Sequence, residues 1–400
     1  MRVGTCERTH HGGSTRLAMH VTWEDRAAPD DTIWFDFSDD ADEDILASAD
    51  VSLLAAFPLA MWYGERQLIV EGDVTPRLAD GVRAAMALIA ERTPTLRPVT
   101  LALTERTHPV VETSTRRRPA ALCMSGGVDA LSALEENLRT TTAPHSARYG
   151  RGVFAFGLNS YDFHDGQPRT ERRVVFDAMA TRLERFLGVY GLSLTRVTTN
   201  LRSLFPHFQA WWAVAHDTPL AAIGHAMRAG VHSLAIASSG VGVGPGVTPH
   251  PLMGALLATP HLDVHAAQLM LSRLEKVRRI AAWPEALSVL RVCLHIDLPS
   301  DGQINCGRCE KCLRTMLQLL AVDSAALSQA PFPSRDVSAA EIEQLSFDFS
   351  PARNHYPPLV PLLAARGRTD LSQAIERALA RWERQEPAPD VRPWWRIGGP

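Results

Sequence analysis

Cys123-Met124-Ser125-Gly126-Gly127-Val128-Asp129-Ala130 decides how the rest of this chain is read. It closes an apolar run from Pro119 to Met124 and passes into Leu131-Ser132-Ala133-Leu134. That context reads as a buried strand, a tight glycine turn and a helix. Two adjacent glycines let the backbone approach a ligand closely, and such a turn aims unpaired N–H groups at one point. A helix N-terminus at that point favours an anion. The unit suits phosphate, with Ser125, Gly126, Gly127, Val128 and Asp129 as candidate contacts. Ser, Gly and Asp are also ordinary turn and cap residues, so a plain strand–turn–helix corner is the competing reading. No Gly-Lys-[Ser/Thr] follows, which excludes a Walker-type loop.

A second pattern lies downstream. Cys306-Gly307-Arg308-Cys309-Glu310-Lys311-Cys312 spaces three thiols at i, i+3 and i+6, with Cys293 thirteen residues before the first. Four of the six cysteines fall in this twenty-residue window. Four thiolates close a tetrahedral zinc site. A four-iron cluster competes, because Cys-x2-Cys-x2-Cys also ligates iron–sulfur. Disulfides are the third reading, but nothing suggests secretion, and a chain of 400 residues does not need such staples. Cys6 and Cys123 read as an unpaired thiol and a small core residue.

The loop resembles the Ser-Gly-Gly-x-Asp-Ser signature of the N-type PP-loop ATP pyrophosphatases. With the cysteine pattern added, the chain resembles the zinc-containing cyanodeazaguanine synthase branch of that superfamily. Ala130 stands where the family usually has Ser, one hydroxyl contact fewer. The resemblance covers residues 119 to 320, is specific at the two motifs and is weak between them. It implies a doubly wound parallel sheet of the adenine nucleotide alpha hydrolase-like type. It also implies ATP and Mg²⁺, and Zn²⁺ on Cys293, Cys306, Cys309 and Cys312. The branch carries a Lys on a helix upstream of its first zinc cysteine, and Lys276 in Ser272–Ile280 matches it.

Asp129 and Lys276 are then the catalytic candidates. Asp129 is expected to bind Mg²⁺ directly or through water, and Lys276 with Arg273 to offset charge on departing pyrophosphate. The activity implied is a ligase's: ATP adenylates an acceptor carboxylate, and ammonia or an amine displaces AMP. The acceptor is a small carboxylic acid or a protein terminus; the synthase's own substrate-side sequences are not evident. Two rivals stand beside it: a tRNA-modifying sulfurtransferase of the same superfamily, and a non-catalytic partner protein with a degenerate nucleotide site.

Composition points to a globular, cytoplasmic protein with no membrane segment. Hydrophobic residues make up 46 % of the chain and charged residues 21 %, and the net charge of −3 speaks against a nucleic-acid partner. Arg116-Arg117-Arg118 is either a solvated linker or a phosphate-side contact. Residues 1–20 lack period and read as a mobile end. Residues 21–115 read as a small α+β domain with strands at 32–37, 67–72 and 100–103 and a helix over 76–92. From 116 to 325 strands alternate with helices. Strands are expected at 153–158, 192–197, 234–237 and 262–265, with helices over 169–188 and 208–228, so a parallel sheet covered on both faces follows. Residues 326–386 read as a helical region and 387–400 as a tail. The N-terminal domain, or the tail with Trp394-Trp395, is a candidate docking surface for a protein partner.

Ligands of such sheets bind beyond the carboxyl ends of the strands. That ranks the loop at Ser125, the Asn159–Asp165 segment with Asn159 as an adenosine contact, and Ser238-Ser239 above other polar residues. Gly240–Gly246 is a substrate lid or a plain surface loop. His164 and His250 are bases or turn residues, His225 a satisfied histidine on a helix, and Trp211-Trp212 core.

Overall fold

The computed structural model describes residues 1–105, 118–143, 145–159, 161–239, 251–293, 303–345 and 350–385. The basic pair Arg116-Arg117, Ser160, the glycine-rich loop with His250 and the tail with Trp394-Trp395 lie outside the described residues.

The first forty residues are strands. β1 (Arg2–Val3), β2 (Glu7–His11), β3 (Ser14–Thr22) and β4 (Asp31–Ser38) pair through β3, antiparallel to each of the others. Leu17, Met19 and Val21 of β3 are fully or almost fully buried, while Arg16 and His20 face out. This is the two-residue alternation of a half-buried strand. The expected mobile end is therefore corrected: Val3 is as buried as the core. Thr, Arg and His on the outer face hid the alternation.

α1 (Ala49–Tyr63), β5 (Gln67–Val74), α2 (Pro76–Arg92) and β6 (Thr100–Glu105) follow. Next come β7 (Ala120–Cys123), α3 (Val128–Thr140), β8 (Tyr149–Phe156), the short hairpin of β9 (Phe163–His164) and β10 (Gln167–Pro168), and α4 (Thr170–Val189). β11 (Ser193–Thr199), α5 (Phe208–Val214), α6 (Thr218–Ala226), β12 (Ser233–Ala237), α7 (Met253–Leu256) and β13 (Asp263–Ala267) complete this part. The expected helix over 208–228 is two helices. The break at Ala215–Asp217 precedes Pro219, which is tolerated only in a first turn.

The chain forms two compact units: the first holds the described residues of 1–125 and 133–270, the second those of 126–132 and 271 onward. The first contains one large sheet in the order β13-β12-β7-β8-β11-β4-β3-β1-β5-β6, with β2 on β3. β13 through β11 are mutually parallel. In chain order those five strands run 3-2-1-4-5, the doubly wound arrangement, and the order reverses between β7 and β12. β4 pairs antiparallel to β11, Phe35 opposite Thr199 and Phe37 opposite Val197. The expected separate domain over 21–115 is thus corrected, because its strands continue the central sheet. The buried faces of β3, β4 and α1 join those of β12 and α6 in one core.

In the second unit α8 (Arg273–Ala281), α9 (Pro284–Ser288) and α10 (Glu310–Val322) are followed by α11 (Ser324–Gln329), α12 (Ala339–Glu343), α13 (Leu359–Ala365) and α14 (Thr369–Gln385). α10 packs on α8 and α13, and α13 on α14. Residues 271–325 therefore belong with the C-terminal helices, not with the sheet as the 116–325 boundary expected. The apolar side of α10, with Leu313, Met316, Leu317 and Leu320, is buried in this helical unit. Among the described residues no helix is long and apolar enough to cross a membrane.

Candidate functional site

β7 ends at Cys123, and α3 begins at Val128 after four intervening residues. Gly126 has φ of +73°, in the left-handed region that favours glycine, so the turn needs a glycine there. Its carbonyl accepts the Arg291 N–H at 2.8 Å, which pins the turn within the second unit. Leu131 N–H donates to the Gly127 carbonyl at 3.0 Å and starts the helix. Ser125 is exposed, Gly127 half-buried and Val128 buried. Ala130 is buried too.

Asp129 is the centre of a charged cluster in the second unit. Arg273 Nη1 lies 3.3 Å from Asp129 Oδ2, and Lys276 Nζ lies 3.5 Å from Oδ1. Ser272 caps α8 through a reciprocal bond with Glu275, so both cations sit on the first turn of a well-started helix. Lys276 is fully buried and Arg273 nearly so. Burial pushes the Arg273 guanidinium below its usual range, and the Asp129 charge opposes the shift. Asp129 Oδ1 is buried and accepts no hydrogen bond among the described residues. Lys276 and Asp129, 147 residues apart in sequence (276 − 129), are thus adjacent in space.

α10 adds to the same field. Arg314 Nε is 3.3 Å from Glu310 Oε1, and Tyr356 donates its hydroxyl to that oxygen at 3.0 Å. Lys311 has solvent access yet is crowded by protein. Desolvation, with Arg314 and Arg273 nearby, pushes its ammonium down to about 8. His355 is pushed down to about 3 by burial and by Arg314 and Arg273, which keeps it neutral. Four cations, Arg273, Lys276, Lys311 and Arg314, therefore face two carboxylates, Asp129 and Glu310. Such an excess suits a multiply charged anion.

The cysteines meet as expected. The sulfurs of Cys293, Cys306, Cys309 and Cys312 all lie within 4.8 Å of one another, and none is in a disulfide. Cys306 and Cys312 sulfurs are 3.8 Å apart. A tetrahedron with zinc–sulfur bonds of about 2.3 Å has an edge of about 3.8 Å, so the group can hold one metal ion and is compatible with zinc. A four-iron cube, with each ligand sulfur on a different iron, would spread them further. Gly307 at φ +72° turns the Cys306–Cys309 loop, and Cys309 N–H points to the Cys306 sulfur at 3.4 Å.

Two features of the chain went unread in the sequence. Asn305 is fully buried, and its side chain binds the backbone of Leu290, Val292, Cys293 and Pro331, so it holds the far cysteine beside the near three. Nothing local marks it except its place before Cys306. His216 Nδ1 and Asp217 Oδ1 are 2.8 Å apart in the break between α5 and α6. Reading one helix there hid the pair.

The other candidates lie in the first unit. Asn159 is half-buried after β8, and its side-chain carbonyl accepts the Tyr161 N–H at 3.2 Å. Ser238, just past β12, is buried, and Ser239 is exposed. His164 is exposed and paired with Asp165 on the β9–β10 hairpin, the turn reading. His225 is fully buried with Nε2 2.8 Å from the Leu257 carbonyl, the satisfied reading. Trp211 is core, packed edge-on to Phe205. Arg118 donates to the Arg228 carbonyl, which makes it a structural tie. Comparison of the chain with protein-family models, curated proteins and solved structures gives no match.

Proposed function

We propose that this chain is an ATP pyrophosphatase of the PP-loop type that adenylates an acceptor carboxylate and passes the acyl group to ammonia or an amine. The observation that carries the reading is the Arg273–Asp129–Lys276 cluster at the start of α3, directly after Ser125-Gly126-Gly127. The strand order of the first unit supports it, because β7 flanks the reversal where doubly wound sheets take ligands.

On this reading the N–H groups of Gly126, Gly127 and Val128 hold the β- and γ-phosphates. Asp129, with a buried oxygen that accepts no hydrogen bond among the described residues, fits a magnesium ligand, and Mg²⁺ when bound would offset phosphate charge. An acceptor carboxylate oxygen attacks the α-phosphorus, and the bond to the bridging oxygen breaks. Lys276 and Arg273 stabilise the charge on the departing pyrophosphate. A nitrogen nucleophile then attacks the acyl carbon, and AMP leaves with the bonding pair. Zinc on four cysteines leaves no open position and is structural.

Nucleotide product analysis tests this. Protein with ATP, Mg²⁺, ammonium and a deazaguanine carboxylate, or fractions of cell metabolites and proteins, is expected to give AMP and pyrophosphate, and Asp129→Ala none. ADP and phosphate would sink the mechanism. The buried methyl of Ala130 favours one second reading, a nucleotide-binding partner protein, which predicts ATP binding without turnover in any fraction.

A further inference from the structure

Asp129 is held by two cations that are fixed in place. Arg273 Nη1 lies 3.3 Å from Asp129 Oδ2, and Arg273 Nη2 donates to Thr315 Oγ1 on α10 at 3.4 Å. Thr315 is fully buried, and its hydroxyl donates in turn to the Lys311 carbonyl at 2.8 Å. The guanidinium is thus braced from two sides, with 10 % of its side chain exposed. Lys276, 3.5 Å from Oδ1, is fully buried, so its ammonium has no path to solvent. All these residues belong to the second unit.

Charge decides what such a carboxylate can take. One negative charge on Asp129 faces two fixed positive ones, and on α10 Lys311 and Arg314 outnumber Glu310. A lone divalent cation brought to Asp129 meets net repulsion, which salt screens little among buried groups. A polyphosphate chain reverses that sign. Arg273 Nε and Asp129 Oδ1 are buried and make no hydrogen bond among the described residues. The cluster therefore keeps a donor for an anion and an acceptor for a cation.

We propose that Asp129 takes a divalent cation only once a polyphosphate chain has settled on Arg273 and Lys276; this rests on the adenylation reading, in which Asp129 is the metal ligand. The anion neutralises the two cations and offers oxygens of its own to the metal. Each ligand strengthens the other by the same factor. The phosphate chain suffices, without adenosine.

Equilibrium dialysis of the zinc-loaded chain tests the order, with Mn²⁺ as the metal probe and inorganic tripolyphosphate as the anion. Tripolyphosphate alone is expected to be retained, Mn²⁺ alone is not, and Mn²⁺ with tripolyphosphate is. Lys276→Met keeps the length of the side chain and removes its charge. It should raise retention of Mn²⁺ alone about tenfold or more, and lower that of tripolyphosphate by a similar factor. A residue that only packs would weaken both. Arg273→Gln should show the same opposed changes, and is read where Lys276→Met does not fold. Asp129→Asn added to either variant should remove the gained ion. Mn²⁺ retained by the wild type as strongly alone as with tripolyphosphate overturns the proposal. So does a gained ion that survives Asp129→Asn. An ATP analogue with a methylene between the α- and β-phosphorus separates the two readings. Its retention with Mn²⁺, where the order fails, sinks the proposal alone. Absence of any retention by the wild type sinks the adenylation reading, and the metal role of Asp129 with it.

Discussion

Asn305 Oδ1 accepts the backbone N–H of Cys293 at 3.2 Å and of Val292 at 2.9 Å, so a residue beside one end of the cysteine cluster fixes its distant ligand. Its amide nitrogen donates to the Leu290 and Pro331 carbonyls. Asn305→Ala would leave buried backbone groups unmet, at a cost of roughly 2–4 kcal/mol. Chemical denaturation should show that loss, and zinc should pass faster to a chelator. Unchanged stability would mean that water replaces the side chain.

The four sulfurs are close enough to share one ion. Elemental analysis is expected to find about one zinc per chain and no iron. Cys309→Ser should reduce the zinc to near zero. An ion shared by the four sulfurs would tie Cys293 to the start of α10, so its removal should raise amide exchange in α8 and α10 far more than in β7 and β8. Equal exchange changes in both would argue that the ion is not a local fastener.

The alternation of strands and helices from β7 to β13 was legible because apolar runs bounded by turn residues mark buried parallel strands. The cysteine quartet was legible through spacing alone. α1 was not. Its residues 49 to 61 are all buried, so it has no polar face and no helical period to read. The cation cluster was half legible: Lys276 and Arg273 stood out, whereas Arg314 and His355 join them only through tertiary packing. The unit boundary at 270 was hidden because only residues 268–272 separate β13 from α8, the length of an ordinary strand-to-helix connection.

Asp162 organises the loop that carries Asn159. One oxygen accepts Gly157 N–H at 2.9 Å and Asn159 N–H at 3.1 Å, and the other pairs with Arg172 at 3.2 Å. Both side chains are almost wholly buried. Asp162→Ala takes the carboxylate away from a buried guanidinium and should cost roughly 3–5 kcal/mol. The double variant Asp162→Leu, Arg172→Met should recover much of that loss, since it removes both charges. A double-mutant cycle by urea denaturation decides it; additive losses would show that the two do not act as a pair.

His355 gives the acid limb of stability a specific source. Its folded value of about 3 lies below the ordinary 6.5, with burial the first cause and Arg314 and Arg273 the next. Between those values the unfolded chain takes up a proton that the native site refuses. The stabilising contribution is therefore complete above about pH 6.5 and is lost as pH falls toward 3. His355→Gln removes the linkage but keeps a polar side chain of similar length. A metal held by the four cysteines would also be released in acid, so the two proteins must be compared at each pH. The wild-type melting temperature should fall more steeply than that of the variant between pH 6.5 and 4. Parallel curves would show that the imidazole is protonated in the native state, as a fifth cation beside Arg273 and Arg314.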